Sequence, residues 1–185
     1  MSHRTQPPSR RTFVRATFCL LGMAPLGFSH ISMAANEANE ANEAKVANVV
    51  TVWKTPSCGC CKDWVIHLRK EGFNVVTNDV SDTAPIRQKL GLPAKFGSCH
   101  TAQVGEYVLE GHVPAREVKR LLREKPVAVG LAVPGMPVGS PGMEMKGDMQ
   151  GVRDAFDVVL VTRDGSSRVY ESYAAKPATK PITKS

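Results

Sequence analysis

Three cysteines within four residues, Cys58, Cys60 and Cys61, stand between a β-branched run and an amphipathic pattern, and this junction constrains the chain more than any other feature. Val49-Val50-Thr51-Val52-Trp53 predicts a buried strand, and Thr55-Pro56-Ser57 breaks it. A helix is predicted from near Cys60, with Cys61, Trp64, Val65 and Leu68 on one face and Gly72 at its end. Structural disulfides within the cluster are a poor explanation. A bond between the adjacent Cys60 and Cys61 is strained, and the loops these thiols close are too short to remove much chain entropy. The cluster reads instead as metal ligands or as a redox centre. Where a loop enters a helix, backbone amides and the positive end of the helix dipole favour thiolate over thiol. Thiolates are soft donors suited to copper(I) or zinc, and Gly59 gives the backbone the freedom to bring neighbouring sulfurs together.

The rest of the domain alternates strands and helices. Phe73 to Val76 predicts a second strand. Ser81 or Thr83 caps a second helix, with Ile86 and Leu90 inward and Gly91 closing it. Thr101–Val104 and Tyr107–Leu109 form a hairpin across Gly105-Glu106, and Pro114 opens a third helix bearing Val118, Leu121 and Leu122. A Gly/Pro/Met-rich segment from about Val133 to Gly151 lacks periodicity and reads as a long loop. Phe156–Thr162 and Ser167–Tyr170 then flank an Asp164-Gly165 turn as a C-terminal β-hairpin. The expected fold is α/β, a thioredoxin-like single domain in the order β-α-β-α-β-β-α, with the cysteine cluster after the first strand. Fold alone does not set function.

The first 34 residues read as an export signal. A basic region ends at Arg15, and the apolar stretch from about Ala16 to Phe28 is too short to span a bilayer, which takes about 20 residues. Small residues at Ser32-Met33-Ala34 suit cleavage. Ser9-Arg10-Arg11-Thr12-Phe13-Val14-Arg15 is similar to a twin-arginine signal, which carries proteins across already folded. A general secretory signal is the alternative. Residues 35–45, with Asn-Glu-Ala repeats, read as a flexible linker, residues 46–173 as the folded domain, and residues 174–185 as a disordered tail. The formal charge of +7 belongs largely to the signal. Beyond it, 20 basic residues face 17 acidic ones, a net +3 that gives no reason to expect nucleic acid. No stable membrane insertion is expected once the signal is removed.

Of the five cysteines, Cys19 leaves with the signal and Cys99 joins the cluster of three. Ser98-Cys99-His100-Thr101 precedes the third strand, where a thioredoxin-like fold faces its cysteine loop, so Cys99 is a candidate ligand, with a buried inert cysteine as the alternative. His100 reads equally as a hydrogen-bonding neighbour of the ligands or as a surface residue. Met143 and Met145 stand among glycines and prolines without helical spacing, which is odd for core filler. Their thioethers are soft donors that favour copper(I) over zinc. Met136 is a weaker candidate. His67 and His112 read as structural or solvent-facing, Trp53 and Trp64 as core, and Lys62, Arg69 and Lys70 as a solvated helix face.

Thr55-Pro56-Ser57-Cys58-Gly59-Cys60-Cys61, Ser98-Cys99-His100-Thr101, Gly111-His112-Val113-Pro114 and Gly139-Ser140-Pro141-Gly142-Met143-Glu144 together resemble the CopG-like family of small exported bacterial metal-binding proteins. The resemblance spans about Val49 to Tyr173. It implies a thioredoxin-like fold, a periplasmic location, copper binding linked to copper resistance, and Cys58, Cys60, Cys61 and Cys99 as ligands.

The expected function is copper(I) binding in copper tolerance through clustered thiolates, with methionine ligation, for one ion or a small sulfur-bridged cluster. Copper ions and another periplasmic copper-handling protein are the expected partners. Two rivals stand beside it. Cys58 and Cys61 have the C-x-x-C spacing of a thiol–disulfide oxidoreductase, although Cys60 between them invites wrong disulfides. Four thiols would also hold zinc, but zinc leaves the methionine loop without a role.

Overall fold

In the computed structural model, residues 48–178 are described. The expected signal and linker, and residues 179–185 of the expected tail, lie outside them. The chain is a mixed α/β domain built on one seven-stranded sheet. Its strands are β1 (Val49–Lys54), β2 (Asn74–Asp79), β3 (His100–Val104), β4 (Tyr107–Glu110), β5 (Gly130–Ala132), β6 (Phe156–Val161) and β7 (Ser167–Tyr173). They lie in the order β2-β1-β3-β4-β5-β6-β7. β1 runs parallel to β2 and β4 parallel to β5, and the other neighbours are antiparallel. Among the described residues, three α-helices accompany the sheet, α1 (Gly59–Lys70), α2 (Ala84–Lys89) and α3 (Ala115–Glu124), with short 3-10 turns at Ala94–Phe96 and Gly147–Met149.

One face of the sheet carries the larger core and the other a smaller cluster over β4, β5 and β6, and period-two alternation along the strands decides which residue faces which layer. Leu109, Leu131, Val158 and Leu160 face the larger core, with Trp64, Val65 and Leu68 of α1 and Val118 and Leu121 of α3. Their neighbours Val108, Ala132 and Val161 face a smaller cluster formed with Leu92 and Phe96, which follow α2. α1 has the expected inward face of Cys61, Trp64, Val65 and Leu68. Trp64 is fully buried, and its indole N–H donates to the Val113 carbonyl at 2.9 Å, tying α1 to the segment that enters α3. Trp53, expected in the core, is half-buried, because Val50, Val52 and Lys54 take the inward face of β1.

The second helix departs from its apolar pattern. Ile86 and Leu90 are half-buried, and Arg87 turns inward to pair with the fully buried Glu110 at 2.8 Å. The short strand β5 lies just before the expected long loop. Its three residues, Gly130, Leu131 and Ala132, carry no alternation to announce them. A Cβ at Gly130 would collide with the Val108 carbonyl, so glycine lets β5 dock on β4. At the C-terminal end, Lys176 exchanges two backbone hydrogen bonds with Arg153. No helix among the described residues is long and apolar enough to cross a membrane.

Candidate metal centre

The centre assembles where α1 begins. The backbone leaves β1 through a turn in which the Cys58 amide donates to the Thr55 carbonyl at 3.2 Å. Cys58 then caps the helix with its sulfur, which accepts from the Cys61 amide at 3.3 Å. A sulfur in this position takes one of the helix's free amides and sits at the positive end of its dipole. Cys61, one turn on, is fully buried. Cys58 and Cys61 are joined as a disulfide with their Cα atoms 5.4 Å apart, and Cys60 and Cys99 are free. The Cys60 sulfur lies 3.5 Å from that of Cys58. The Cys61 sulfur lies 3.7 Å from the Cys99 carbonyl. All four sulfurs fall within 4.8 Å of one another, so the structure unites every cysteine singled out in the folded domain.

Cys99 is positioned by charge and by long-range bonds. Both oxygens of the Glu110 carboxylate hold the segment around it. One accepts from the Ser98 amide at 2.7 Å and from Arg87 at 2.8 Å, the other from the Thr101 hydroxyl at 2.7 Å. Arg87 also donates to the Ser98 carbonyl and to the Thr83 hydroxyl, each at 3.2 Å. Burial pushes the Glu110 carboxyl above its ordinary range, and Thr101, Ser98 and Arg87 pull against that shift. Burial, and then the charge of nearby Cys60, push the Cys99 thiol up to about 12.

Two histidines close in on the same sulfur. His100 Nδ1 lies 3.3 Å and His112 Nε2 3.1 Å from Cys99 Sγ. Both rings are fully buried. Burial lowers both pKa values, that of His100 to about 3 with His112 contributing, so both imidazoles are neutral near pH 7. His112 Nδ1 lies 2.7 Å from the Pro141 carbonyl. Since a carbonyl only accepts, this bond assigns the His112 proton to Nδ1 and leaves the Nε2 lone pair facing Cys99. The sequence reading of His112 as structural or solvent-facing missed this. The only signal was its place in Gly111-His112-Val113-Pro114, since no sequence spacing brings position 112 to position 99. His100 is not a surface residue but lies beside Cys99 and packs on Trp64, their ring centroids 4.3 Å apart.

The methionine loop meets the centre through its backbone. Gly142, at φ 85°, lies so close to α1 that a Cβ there would stand 2.6 Å from the Trp64 nitrogen and 2.7 Å from the Cys60 carbonyl. Its amide donates to Glu144 at 2.8 Å. Met143 follows directly and is half-buried, its amide donating to the Ser140 carbonyl at 2.8 Å. Met145 is exposed and lines a groove with Asp63, Ile66 and His67, in which none of the four cysteines takes part. Met136 is exposed as well.

The sequence model of a family described as a protein of unknown function, DUF411, matches residues 96–143, which carry Cys99, His112 and Met143. Two solved structures are similar over most of the domain. One, titled copper resistance protein copG, form 1, shares 44% identity over 68% of this chain and 97% of its own, with a TM-score of 0.63. The other, titled form 2, shares 46% identity over the same proportions, with a TM-score of 0.61. No curated protein matches the chain.

Proposed function

Because the chain belongs to the CopG-like copper-resistance family, we propose that it is a periplasmic copper(I)-binding protein acting in copper tolerance. One observation carries the proposal: Cys58, Cys60, Cys61 and Cys99 offer four sulfurs within 4.8 Å of one another. An all-sulfur set of this kind suits a soft monovalent ion far better than cobalt or nickel. Four sulfurs also suffice to bridge more than one copper ion. Cys58 and Cys61 serve as thiolates only after their disulfide takes up two electrons, so copper loading through all four belongs to the reduced protein. Met143 is the thioether best placed to cover the ion, because Gly142 anchors its segment against α1. Met145 is the second candidate. A periplasmic location rests on the twin-arginine-like segment around Arg10 and Arg11. A thioredoxin-like core is supported by the order β2-β1-β3-β4, with β1 parallel to β2 and the next two pairings antiparallel.

The Cys58–Cys61 disulfide favours a second reading, thiol–disulfide exchange at the start of α1. The two readings separate at Cys60. In anaerobic competition with a chromogenic copper(I) chelator, the reduced protein is expected to withhold at least one equivalent. Cys60→Ser is expected to weaken that hold as much as Cys58→Ser or Cys61→Ser does. Full disulfide reductase activity in Cys60→Ser, together with no copper withheld by the wild type, overturns the copper reading in favour of exchange.

A further inference from the structure

One face of α1 lines a groove in which the sulfur cluster takes no part. Asp63, Ile66 and Lys70 recur at three- and four-residue spacing and so share that face. Across from them stand Met145 and Lys146 of the methionine loop, with Arg153 and Lys176. We propose that this groove is the docking site of the chain's own acidic repeat, residues 36–44, which it holds by charge as an intramolecular strap along α1. The proposal goes beyond the copper-binding reading and does not depend on it.

Charge complementarity carries the inference first. Lys70, Lys146, Arg153 and Lys176 give the groove four positive charges against two negative ones, from Asp63 and Glu144. The Glu144 carboxylate is already engaged, accepting from the Gly142 amide at 2.8 Å. Among the described residues none of these four cations forms an ion pair, whereas Lys54, Arg87, Arg116, Lys119 and Arg120 all do. The repeat offers Glu37, Glu40 and Glu43 with no basic residue among them. A concave surface lined by one excess charge attracts the opposite charge more strongly than a flat one does. The apolar parts match as well. Ile66 and Met145 are 46% and 39% exposed in the groove. Ala38 and Ala41, which stand between the glutamates, are small enough to lie against them.

Reach is the second support. Asn48, the first described residue, accepts at its carbonyl from the Asn74 amide at 2.9 Å. Asn74 begins β2 just after α1 ends at Lys70, so the repeat enters beside the Lys70 end of the groove. From Lys70 back to Asp63 the helix runs about 10 Å. The repeat, fully extended, spans up to about 30 Å. Glu43 is therefore placed to meet Lys70, with Glu40 and Glu37 able to reach Lys146 and Lys176. A strap so seated crosses the wall formed by Glu144 and Met145, and thereby bears on the loop that carries Met143.

Zero-length carbodiimide cross-linking of the metal-free full chain, read by peptide mass spectrometry, tests this. Amide links from Glu37, Glu40 or Glu43 to Lys70, Lys146 or Lys176 are expected at about fivefold or greater yield than links to Lys125. Lys125 is the reference because it is exposed and lies beside Gly105, at the end of the sheet where the repeat enters, Val50 pairing there with Val104. The excess is expected to vanish at about 1 M sodium chloride, where charges are screened beyond about 3 Å. The link to Lys70 is expected to fall about fivefold or more when Lys146→Glu and Lys176→Glu are combined, or Lys146→Gln and Lys176→Gln should the first pair lower the melting temperature. Equal yields at Lys125 and in the groove, an excess that survives high salt, or a Lys70 link indifferent to both pairs of substitutions overturns the proposal. Cross-linking a mixture of isotope-labelled and unlabelled chains identifies the donor. Links of hybrid mass would show that the repeat of a second copy fills the groove, and would overturn the intramolecular strap.

Discussion

The two halves of the candidate metal centre are held in place by different means. Cys58, Cys60 and Cys61 occupy four consecutive positions, and local backbone geometry sets them: the Thr55 turn, the sulfur cap at Cys58 and one turn of α1. Cys99 instead owes its place to distant residues, Glu110 on β4, Arg87 on α2 and His112 before α3, the last tied to the methionine loop at Pro141. Such a division confines the Cys58–Cys61 disulfide to the helix half. It also places the energetic cost of building the site in the second half. Glu110 and Arg87 form a buried pair, and a buried pair is costly to break because the surviving charge is left without its partner.

The largest expected effect follows from that pair. Glu110→Ala removes three hydrogen bonds and strands Arg87, whose side chain is only 10% exposed. Unfolding in urea is expected to show a loss of about 3–5 kcal/mol. Cys60→Ser, in the helix half, is expected to change stability by no more than about 0.5 kcal/mol. Equal losses for the two variants would break the contrast between the halves.

Gly142→Ala comes next. Its φ of 85° disfavours any side chain, and a Cβ there meets the Trp64 nitrogen and the Cys60 carbonyl. A loss of about 1–3 kcal/mol is expected. Copper(I) in the reduced variant is also expected to oxidise faster in air, because the loop is pushed off the start of α1. Unchanged stability and oxidation rate would remove the loop from the site.

The smallest effect is a pH dependence outside the site. The Ala115 amide at the start of α3 donates to His67 Nε2 at 3.1 Å, which requires a neutral ring. Burial lowers the His67 pKa below 6.5, with Glu71 and Glu144 pulling weakly upward. Between that lowered value and 6.5 the unfolded chain binds more protons than the folded one. The contribution is therefore fully present above pH 6.5 and lost as pH falls through the folded pKa. His67→Gln, whose amide oxygen accepts without titrating, is expected to flatten this part of the stability profile. A wild-type profile that is already flat there would contradict the assignment.

The same contrast explains what was legible in the sequence. The helix half is local, so spacing alone pointed to Cys58, Cys60 and Cys61 and to the buried face of α1. The other half depends on residues whose partners are far away in sequence. Cys99 was inferred from an assumed fold. His112 looked like an isolated histidine because its partners, Cys99 and the Pro141 carbonyl, become neighbours only through the sheet and the loop. Arg87 was hidden by an apolar pattern that favoured Ile86 and Leu90, since a helical period gives no weight to an arginine with a buried carboxylate waiting for it. β5 was missed because three residues show no alternation. The methionine loop shows no periodicity in the sequence, and residue type alone cannot separate Met143, beside the close approach at Gly142, from Met145, which lines the groove next to His67.

The central claim, that sulfurs from both halves of the centre hold copper(I), is tested most directly by copper K-edge absorption on the anaerobically reduced, copper(I)-loaded protein. A first shell made predominantly of sulfur is expected, with the sulfur number falling in Cys60→Ser and in Cys99→Ser alike. A shell of nitrogen and oxygen alone, or one left unchanged by either substitution, would contradict the account.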